Sequence, residues 1–188
     1  MAPELWLIRH GETAWSLSGA HTGTTDLLLT PEGEAKARAL GAKLAGHTFA
    51  LVLTSPMQRA RRTCELAGFG AQAQVEPNLS EWNYGSYEGL TSADIQRTRP
   101  GWTIFNDGVP DGETIDQVAS RAQAVITRAL AANGDVALFA HGHILRILAT
   151  RWLGLAPADA RLFALNTASI STLGHEHETR VITRWNLG

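Results

Sequence analysis

The sequence feature that most constrains the fold is residues 5–15, LWLIRHGETAW, where an apolar run ends abruptly in arginine, histidine and glycine. Residues 5–8 predict a strand buried on both faces, and Gly11 predicts the turn out of the sheet. In a parallel sheet the carboxyl ends of the strands open onto the ligand crevice. A guanidinium and an imidazole delivered there by Arg9 and His10 therefore predict an anion site. The structural alternative is that Arg9 pairs with a carboxylate and His10 caps the strand.

Short apolar runs alternate with helical patterns along the rest of the chain. Further strands are predicted at residues 49–54, 74–76 and 135–140, and helices at residues 30–46, 56–66, 92–99, 114–133 and 144–153. Residues 168–173 and 180–185 flank a predicted hairpin turn at residues 174–177, while residues 12–29 and 100–112 are expected to be loops. The pattern predicts an α/β fold, a three-layer α/β/α sandwich with a mainly parallel central sheet and the C-terminal hairpin as a candidate antiparallel edge.

Composition narrows the class of partner. The 188 residues, 44% of them apolar, indicate one domain over residues 1–188. Sixteen Lys and Arg residues against 18 Asp and Glu residues argue against a nucleic-acid partner, because they leave no broad basic surface. The small basic cluster at Arg59, Arg61 and Arg62 falls short of such a surface.

Cysteine usage and hydropathy bear on the cellular compartment. The single cysteine, Cys64, excludes an internal disulfide and a cysteine-based metal site, and is typical of a reducing cytoplasm. The first ten residues lack the pattern of a secretory signal, and no stretch reaches the ~20 apolar residues of a membrane span. We therefore expect a cytoplasmic protein with no membrane partner.

Further anion-binding groups occur at other strand ends. His141 follows its strand as His10 does, each with a glycine after it, and Arg59 lies soon after the strand at residues 49–54. Two arginines and two histidines in one pocket can hold a phosphoryl group while one neutral imidazole attacks phosphorus. The leaving oxygen then needs an acid. Glu81, next to the third strand end, is preferred over Glu88, seven residues further into the loop.

In these residues and the segments around them, the chain resembles the histidine phosphatase superfamily, also called the phosphoglycerate mutase-like proteins. The matching segments span nearly the whole chain and are RHGET at residues 9–13, TGTTDLLLTPEG at 22–33, SPMQRARRT at 55–63, SEWNYGSYEG at 80–89 and AHGH at 140–143. The resemblance implies that His10 carries the phosphoryl group, that Arg9, Arg59 and His141 hold it, and that Glu81 donates and then accepts a proton.

The same resemblance implies a set of substrate-binding positions. These are Ser16, Thr22, Gly23, Tyr84 and Gly142. Thr22 and Gly23 match groups that close over the phosphate, and Tyr84 matches a residue at the substrate mouth. Ser16 departs from the family pattern, which has asparagine there, and serine reaches less far.

Several other polar and aromatic residues have less specific interpretations. His143 invites a metal interpretation, but no ligand set completes one, so no metal and no cofactor are expected. His21 is a candidate substrate contact from the long loop, and His47 is expected at the surface. Trp6 and Trp152 are predicted to be core. Trp82 and Trp102 are candidates for the pocket wall, although an aromatic residue in such a loop more often serves packing.

The function predicted is a metal-independent phosphomonoester phosphatase with a phosphohistidine intermediate on His10, acting on a small metabolite such as a sugar phosphate. A cofactor-dependent phosphoglycerate mutase and a protein phosphohistidine phosphatase remain as alternatives. Family mutases carry a basic insertion after the acid loop and a tail after the last strand. Here residues 92–111 hold only Arg97 and Arg99, and three residues follow Trp185. The sequence leaves monomer and homodimer equally open.

Overall fold

The computed structural model describes residues 3–188, which form one six-stranded sheet with helices around it. The strands are β1 (Leu5–Arg9), β2 (Leu51–Thr54), β3 (Ala73–Val75), β4 (Val136–Ala140), β5 (Ile170–Glu176) and β6 (Thr179–Leu187). The α-helices are α1 (Ala14–Ser18), α2 (Pro31–Leu44), α3 (Gln58–Leu66), α4 (Ser92–Gln96), α5 (Ile104–Asp107), α6 (Ile115–Leu130) and α7 (Gly142–Leu153). No helix within residues 3–188 is both long and apolar enough to cross a membrane.

The strand order, β3-β2-β4-β1-β5-β6, places β1 and β4 side by side at the centre of the sheet. Strands β1 to β4 pair in parallel, whereas β5 and β6 pair antiparallel and form one edge. Arg9 lies opposite Ala140 in the register, and the His10 amide donates to the Ala140 carbonyl at 2.9 Å. The predicted fold class is confirmed, and the carboxyl ends of β1 and β4 are brought together.

Strand β4 shows why the sheet is covered on both faces. All five of its side chains are fully buried. Val136, Leu138 and Ala140 belong to the core shared with α6 and α7, whereas Ala137 and Phe139 belong to the core shared with α2 and α3. Burying a side chain the size of Phe139 stabilises the fold by about 1.5–3 kcal/mol. The continuous apolar sequence of β4 is therefore explained by helices on each side.

The predicted helix boundaries rest on caps that the structure confirms. The Thr30 hydroxyl accepts from the Gly33 amide at 3.0 Å, with Pro31 at the first helical position of α2. Thr114 and Gln117 form the predicted capping box of α6. Gly154, at φ 73°, ends α7 in the left-handed conformation that glycine adopts without strain.

Three local predictions were wrong. Residues 12–29 contain helix α1, which a capping box between Thr13 and Ser16 begins and Gly19 ends. Residues 100–112 contain the four-residue helix α5. Helices this short lack a readable apolar period. The hairpin turn lies later than predicted, because β5 continues to Glu176 and His177 takes the left-handed conformation at φ 53°.

The predictions for the tryptophan residues and for His47 are correct in part. Trp152 is buried as predicted, but Trp6 is only half-buried and packs on the half-buried His47, with ring centroids 4.3 Å apart. Trp82 and Trp102 are core residues and not pocket wall, since each is at most 2% exposed. Whether residues 1–188 form a single domain stays a prediction.

Candidate active site

A cavity of about 220 Å³ opens at the carboxyl ends of β1 and β4. Of the predicted site residues, those lining it are Arg9, His10, Ser16, Thr22, Glu81, Tyr84 and Gly142. Three others, Gly23, Arg59 and His141, lie behind the lining, and Arg59 and His141 are fully buried. The structure therefore brings the predicted residues into one place but in two layers.

His10 is held as a neutral imidazole with one nitrogen free. Its Nδ1 lies 2.7 Å from the Gly11 carbonyl oxygen, which can only accept, so Nδ1 carries the proton. Burial, together with the charges of Arg9 and Arg59, lowers the pKa of His10 well below its usual range. Nε2 has no hydrogen bond to the described part of the chain. Its lone pair is therefore available to attack an electrophile in the cavity.

His141 stands beside His10 with both nitrogens engaged. The ring centroids are 5.1 Å apart. Arg59 Nε donates to His141 Nδ1 at 3.1 Å, so in the neutral ring the proton is on Nε2, which lies 2.7 Å from Ser55 Oγ. Burial and the nearby Arg59 charge lower the pKa of His141 well below its usual range. Ser55 Oγ also accepts from the Met57 amide at 3.3 Å, so this buried serine fixes the His141 ring from behind the cavity, a positioning contact that the sequence analysis missed.

Arg9 lines the cavity from the end of β1. Its Nη1 donates to the Leu165 carbonyl oxygen, and its Nε is buried with no partner among residues 3–188. A Cβ added at Gly142 would lie 3.4 Å from the Arg9 Cζ, an ordinary van der Waals contact, so the guanidinium lies directly beside the start of α7. Arg9 therefore supplies a cation to this side of the cavity, where an anion can bind.

A clamp formed by Arg59 and Glu88 holds the backbone of residues 22–25. Arg59 donates to the carbonyl oxygens of Thr22, Gly23 and Thr25 at 2.9–3.0 Å. From the other side, the amides of Gly23 and Thr25 donate to Glu88 at 2.9–3.1 Å. In this structure the Gly23 amide is therefore held by Glu88 and does not point to a phosphate.

Glu81 enters the cavity from the loop after β3. Its carboxylate accepts from three amides, those of Trp82 and Ile144 at Oε1 and that of His143 at Oε2. The distances are 2.9–3.0 Å, and the last two amides belong to the first turn of α7. Oε2 has one such partner, so it keeps a lone pair that can carry a proton.

The loop that carries Glu81 is anchored from α6. Arg121 pairs with Glu113 at 2.8 Å and donates to the carbonyl oxygens of Asn78 and Ser80 at 2.8–2.9 Å. These bonds fix the backbone just before Glu81. Because Glu88 is committed to the clamp, the geometry favours Glu81 over Glu88 as the group able to exchange a proton in the cavity.

The hydroxyl groups of the remaining predicted substrate contacts, Ser16, Thr22 and Tyr84, have different hydrogen-bond partners. Ser16 lines the cavity, but its hydroxyl donates to the Thr13 carbonyl at 3.0 Å and accepts from the Thr13 amide at 2.9 Å. Thr22 donates to the Ala20 carbonyl at 3.2 Å. Tyr84 is buried, and burial raises the pKa of its hydroxyl well above the usual value, so the hydroxyl stays protonated.

Two residues on α7 line the cavity although the sequence analysis gave them no role. His143 follows Gly142, and Arg146 lies one turn further on the same face. Arg146 Nε donates to the Ala160 carbonyl at 3.0 Å, and its guanidinium lies 4.7 Å from the Phe105 ring centre. The i, i+3 spacing from His143 was the available signal, and helix α7 had been predicted to begin two residues too late.

Two further observations delimit the site. Among residues 3–188, no group of three or more His, Cys, Asp or Glu side chains is arranged to hold a metal ion. A larger recess of about 510 Å³ shares Arg9 and Ser16 with the cavity and is also lined by Lys36 and Lys43. It contains neither imidazole nor the Glu81 carboxylate, so the reactive groups belong to the smaller cavity.

Comparisons with known proteins agree with this arrangement. Residues 5–188 match the model of the histidine phosphatase superfamily (branch 1). The chain is 42% identical to an acid phosphatase of Mycobacterium tuberculosis, over 94% of this chain and 88% of that protein. It is 34% identical to sedoheptulose 1,7-bisphosphatase of Saccharomyces cerevisiae, over 82% and 69%.

Other similar proteins include a mutase and a solved structure. A 2,3-bisphosphoglycerate-dependent phosphoglycerate mutase of Cytophaga hutchinsonii is 31% identical, over 84% of this chain and 80% of that protein. A solved structure of a functionally characterised Mycobacterium tuberculosis protein superposes with a TM-score of 0.94 at 40% identity, covering 100% of this chain and 98% of the other. With the histidine pair, the paired arginines and the matching fold, the chain belongs to the histidine phosphatase superfamily, branch 1.

Proposed function

We propose that this protein is a metal-independent phosphomonoester phosphatase that acts through a phosphohistidine on His10. The observation that carries the proposal is the free Nε2 of a neutral His10, which lines the same small cavity as Arg9 and Glu81. Nucleophile, cation and acid are the three groups that transfer of a phosphoryl group from an alkyl ester requires.

In the first step, His10 Nε2 attacks phosphorus and the ester P–O bond breaks. Arg9 binds the phosphoryl oxygens, and Arg59 and Ser55 act by holding His141, Arg59 also through the clamp. The electron pair of the broken bond goes to the leaving oxygen, which takes a proton from Glu81 Oε2. The products are phosphohistidine, an alcohol and the Glu81 carboxylate.

In the second step, water takes the place that the alcohol has left. The Glu81 carboxylate accepts a proton from this water as its oxygen attacks phosphorus, and the N–P bond breaks. The bond electrons return to His10 Nε2, and orthophosphate leaves. The Nδ1–H bond to Gly11 holds the same tautomer throughout, so Nε2 alone needs to exchange the phosphoryl group.

The cavity supports a small substrate and water as the final acceptor. Its volume of about 220 Å³ lies below the ~300–1,000 Å³ typical of ligand pockets. Arg9 and Arg146 are the lysine or arginine residues among 3–188 that line it. A mutase has to retain a bisphosphorylated intermediate, which calls for more cationic contacts. The similarity to an acid phosphatase and a sugar bisphosphatase supports a sugar phosphate as substrate.

The test compares hydrolysis with isomerisation. Purified protein is given 3-phosphoglycerate and a panel of sugar phosphates, with EDTA present, and phosphate release is measured beside formation of 2-phosphoglycerate. Phosphate should appear faster than 2-phosphoglycerate, with or without added bisphosphoglycerate, and EDTA should leave the rate unchanged.

Three outcomes would contradict the proposal, and the third is measured by adding a phosphohistidine-containing protein to the substrate panel. Dominant isomerisation would assign the protein to the mutases, and loss of activity in EDTA with recovery on adding metal would exclude the metal-independent mechanism. Hydrolysis confined to a phosphohistidine-containing protein substrate would favour a protein phosphohistidine phosphatase instead.

A further inference from the structure

His143 and Tyr84 form a hydrogen-bonded pair at the leaving-group side of the cavity. Tyr84 Oη lies 2.6 Å from His143 Nδ1, and both side chains line the cavity. His143 Nδ1 is also 3.9 Å from Glu81 Oε2, and the His143 amide donates to that same oxygen at 2.9 Å. His143 therefore adjoins the atom that hands a proton to the leaving oxygen.

The surroundings of His143 keep its ring neutral and fixed. The ring packs against Trp82 and Phe105, with centroids 6.2 Å and 5.3 Å away. Burial, and next the charge of Arg146, lower the pKa of His143 well below its usual range. The charged groups near it include Arg146, Arg9 and Glu81, and the His21 ring lies 4.8 Å from the Tyr84 ring and 6.1 Å from the His143 ring, centroid to centroid. A neutral ring here has one donor and one acceptor nitrogen.

The bond to Tyr84 decides which nitrogen is the donor. The Tyr84 hydroxyl has no other partner among residues 3–188, so giving its proton to Nδ1 satisfies both groups. The imidazole proton is then on Nε2. That nitrogen has no partner in the described chain, and the His143 side chain keeps 18% of its surface exposed.

We propose that His143 Nε2–H recognises an oxygen on the carbon next to the ester carbon, which makes vicinal hydroxyalkyl phosphates the preferred substrate class. The inference rests on the proposed phosphatase function and refines it. A polyol or sugar phosphate offers such an oxygen, separated by two carbons from the leaving oxygen that Glu81 protonates. A simple alkyl or aryl phosphate does not.

The experiment measures kcat/KM for glycerol 1-phosphate and n-propyl phosphate, with phenyl phosphate as a third substrate that bypasses this contact. Wild-type protein should prefer glycerol 1-phosphate, and in His143→Phe that preference should fall about tenfold, the size of a lost hydrogen bond. Phenyl phosphate turnover, measured in parallel, gives the effect of each substitution on the chemistry itself, and the ratio between the glycerol and propyl esters is independent of that effect. His143→Gln, which keeps an N–H donor, should retain part of the preference.

A second variant separates recognition from folding. His143→Phe leaves the buried Tyr84 hydroxyl unpaired, so Tyr84→Phe/His143→Phe removes both partners and restores an apolar wall. The double variant should fold and turn over phenyl phosphate with the same loss of preference. In ¹⁵N-histidine NMR spectra of the wild-type protein, His143 should show a protonated Nε2 and an unprotonated Nδ1.

An unchanged preference in a folded double variant, or a protonated Nδ1, would overturn the inference while phenyl phosphate hydrolysis still supported the phosphatase. Absence of hydrolysis of all three substrates by the wild-type protein would instead contradict the proposed function itself.

Discussion

The two ends of the cavity are built from different kinds of structure. The phosphate end consists of residues at strand ends, where the sheet register fixes their spacing: Arg9 ends β1, His10 follows it, and His141 follows β4. The leaving-group end consists of Glu81 and Tyr84 from an irregular loop and of His143 and Arg146 from one face of α7. The strand ends thus position the reactive groups. The loop and the face of α7 contact the leaving group of the substrate.

Removing the nucleophile tests the phosphate end with the largest expected effect. His10→Ala should lower kcat/KM by at least about 10⁴-fold, as loss of a nucleophile does elsewhere, and should abolish the acid-labile, alkali-stable phosphoenzyme. Rapid quench with labelled substrate measures both. His177→Asn, at an exposed turn, is the matched control and should behave as wild type. Labelling that persists in folded His10→Ala would move the nucleophile to another residue.

Glu81→Gln tests whether the leaving-group end supplies the proton that the departing alkoxide needs. General acid catalysis typically contributes 10²–10⁴-fold, and nitrophenolate leaves without it whereas an alkoxide does not. In single-turnover experiments, phosphoenzyme formation from a sugar phosphate should therefore slow at least about tenfold more than formation from p-nitrophenyl phosphate. Equal slowing of the two substrates would leave Glu81 a positioning role only.

Glu88→Gln is the matched variant, because it alters the clamp and not the proton donor. Both loop amides donate to Oε1 of Glu88, and the Gly23 amide also donates to Oε2, so a glutamine loses the second Gly23 bond and leaves both amides on a neutral acceptor. We expect about tenfold slower turnover of both substrates alike, with weaker inhibition by vanadate. A dependence on the leaving group in Glu88→Gln, and none in Glu81→Gln, would exchange the two assignments.

The smallest effect expected is on stability against pH. His10, His141 and His143 have pKa values well below the usual range, so they stay neutral in the folded protein where an unfolded histidine, with a pKa of about 6.5, gains a proton. Their contribution to the free energy of unfolding is complete above pH ~6.5 and is lost as pH falls towards the lowered values, by up to about 1.4 kcal/mol per pH unit for each.

Urea unfolding at pH 7.5, 6.5 and 5.5 measures this slope. Tyr84→Phe/His143→Phe should have a shallower slope than wild type by the share of one histidine, because the variant lacks the leaving-group-end imidazole but keeps the pair at the phosphate end. An unchanged slope in the double variant would mean that His143 takes up a proton in the folded protein as readily as in the unfolded one.

The sequence predicted which residues lie at the phosphate end because the ends of buried strands are easy to recognise in a sequence. A buried apolar run ends where the strand leaves the core. The residue that follows it, His10 or His141, therefore lies at the edge formed by the carboxyl ends of the strands. It did not predict that Arg59 reaches the site through His141 and the backbone of residues 22–25, since side-chain direction on α3 depends on long-range contacts. Nor did the implied role of Ser16 anticipate that Thr13 engages its hydroxyl.

The leaving-group end was harder to predict for a physical reason. His143 was set aside because histidine spacing alone suggests a metal, and its actual partner, Tyr84, lies 59 residues earlier. Helices α1 and α5 are too short to show a period, so the loops that hold them had no readable shape. For Trp82 and Trp102 the sequence left pocket wall and packing open, and the structure shows packing, the commoner role of an aromatic residue in such a loop.

The clamp makes three segments that are far apart in the chain depend on one another: residues 22–25, the helix that carries Arg59 and the loop that carries Glu88. Arg59 holds the carbonyl oxygens and Glu88 the amides, so this backbone has little freedom to take another shape while both side chains remain. A mutant library that varies residues 22–25 alone would yield mostly inactive proteins. Diversity in substrate range is better sought in residues 92–111, which lie outside the clamp and reach the cavity at Ser92.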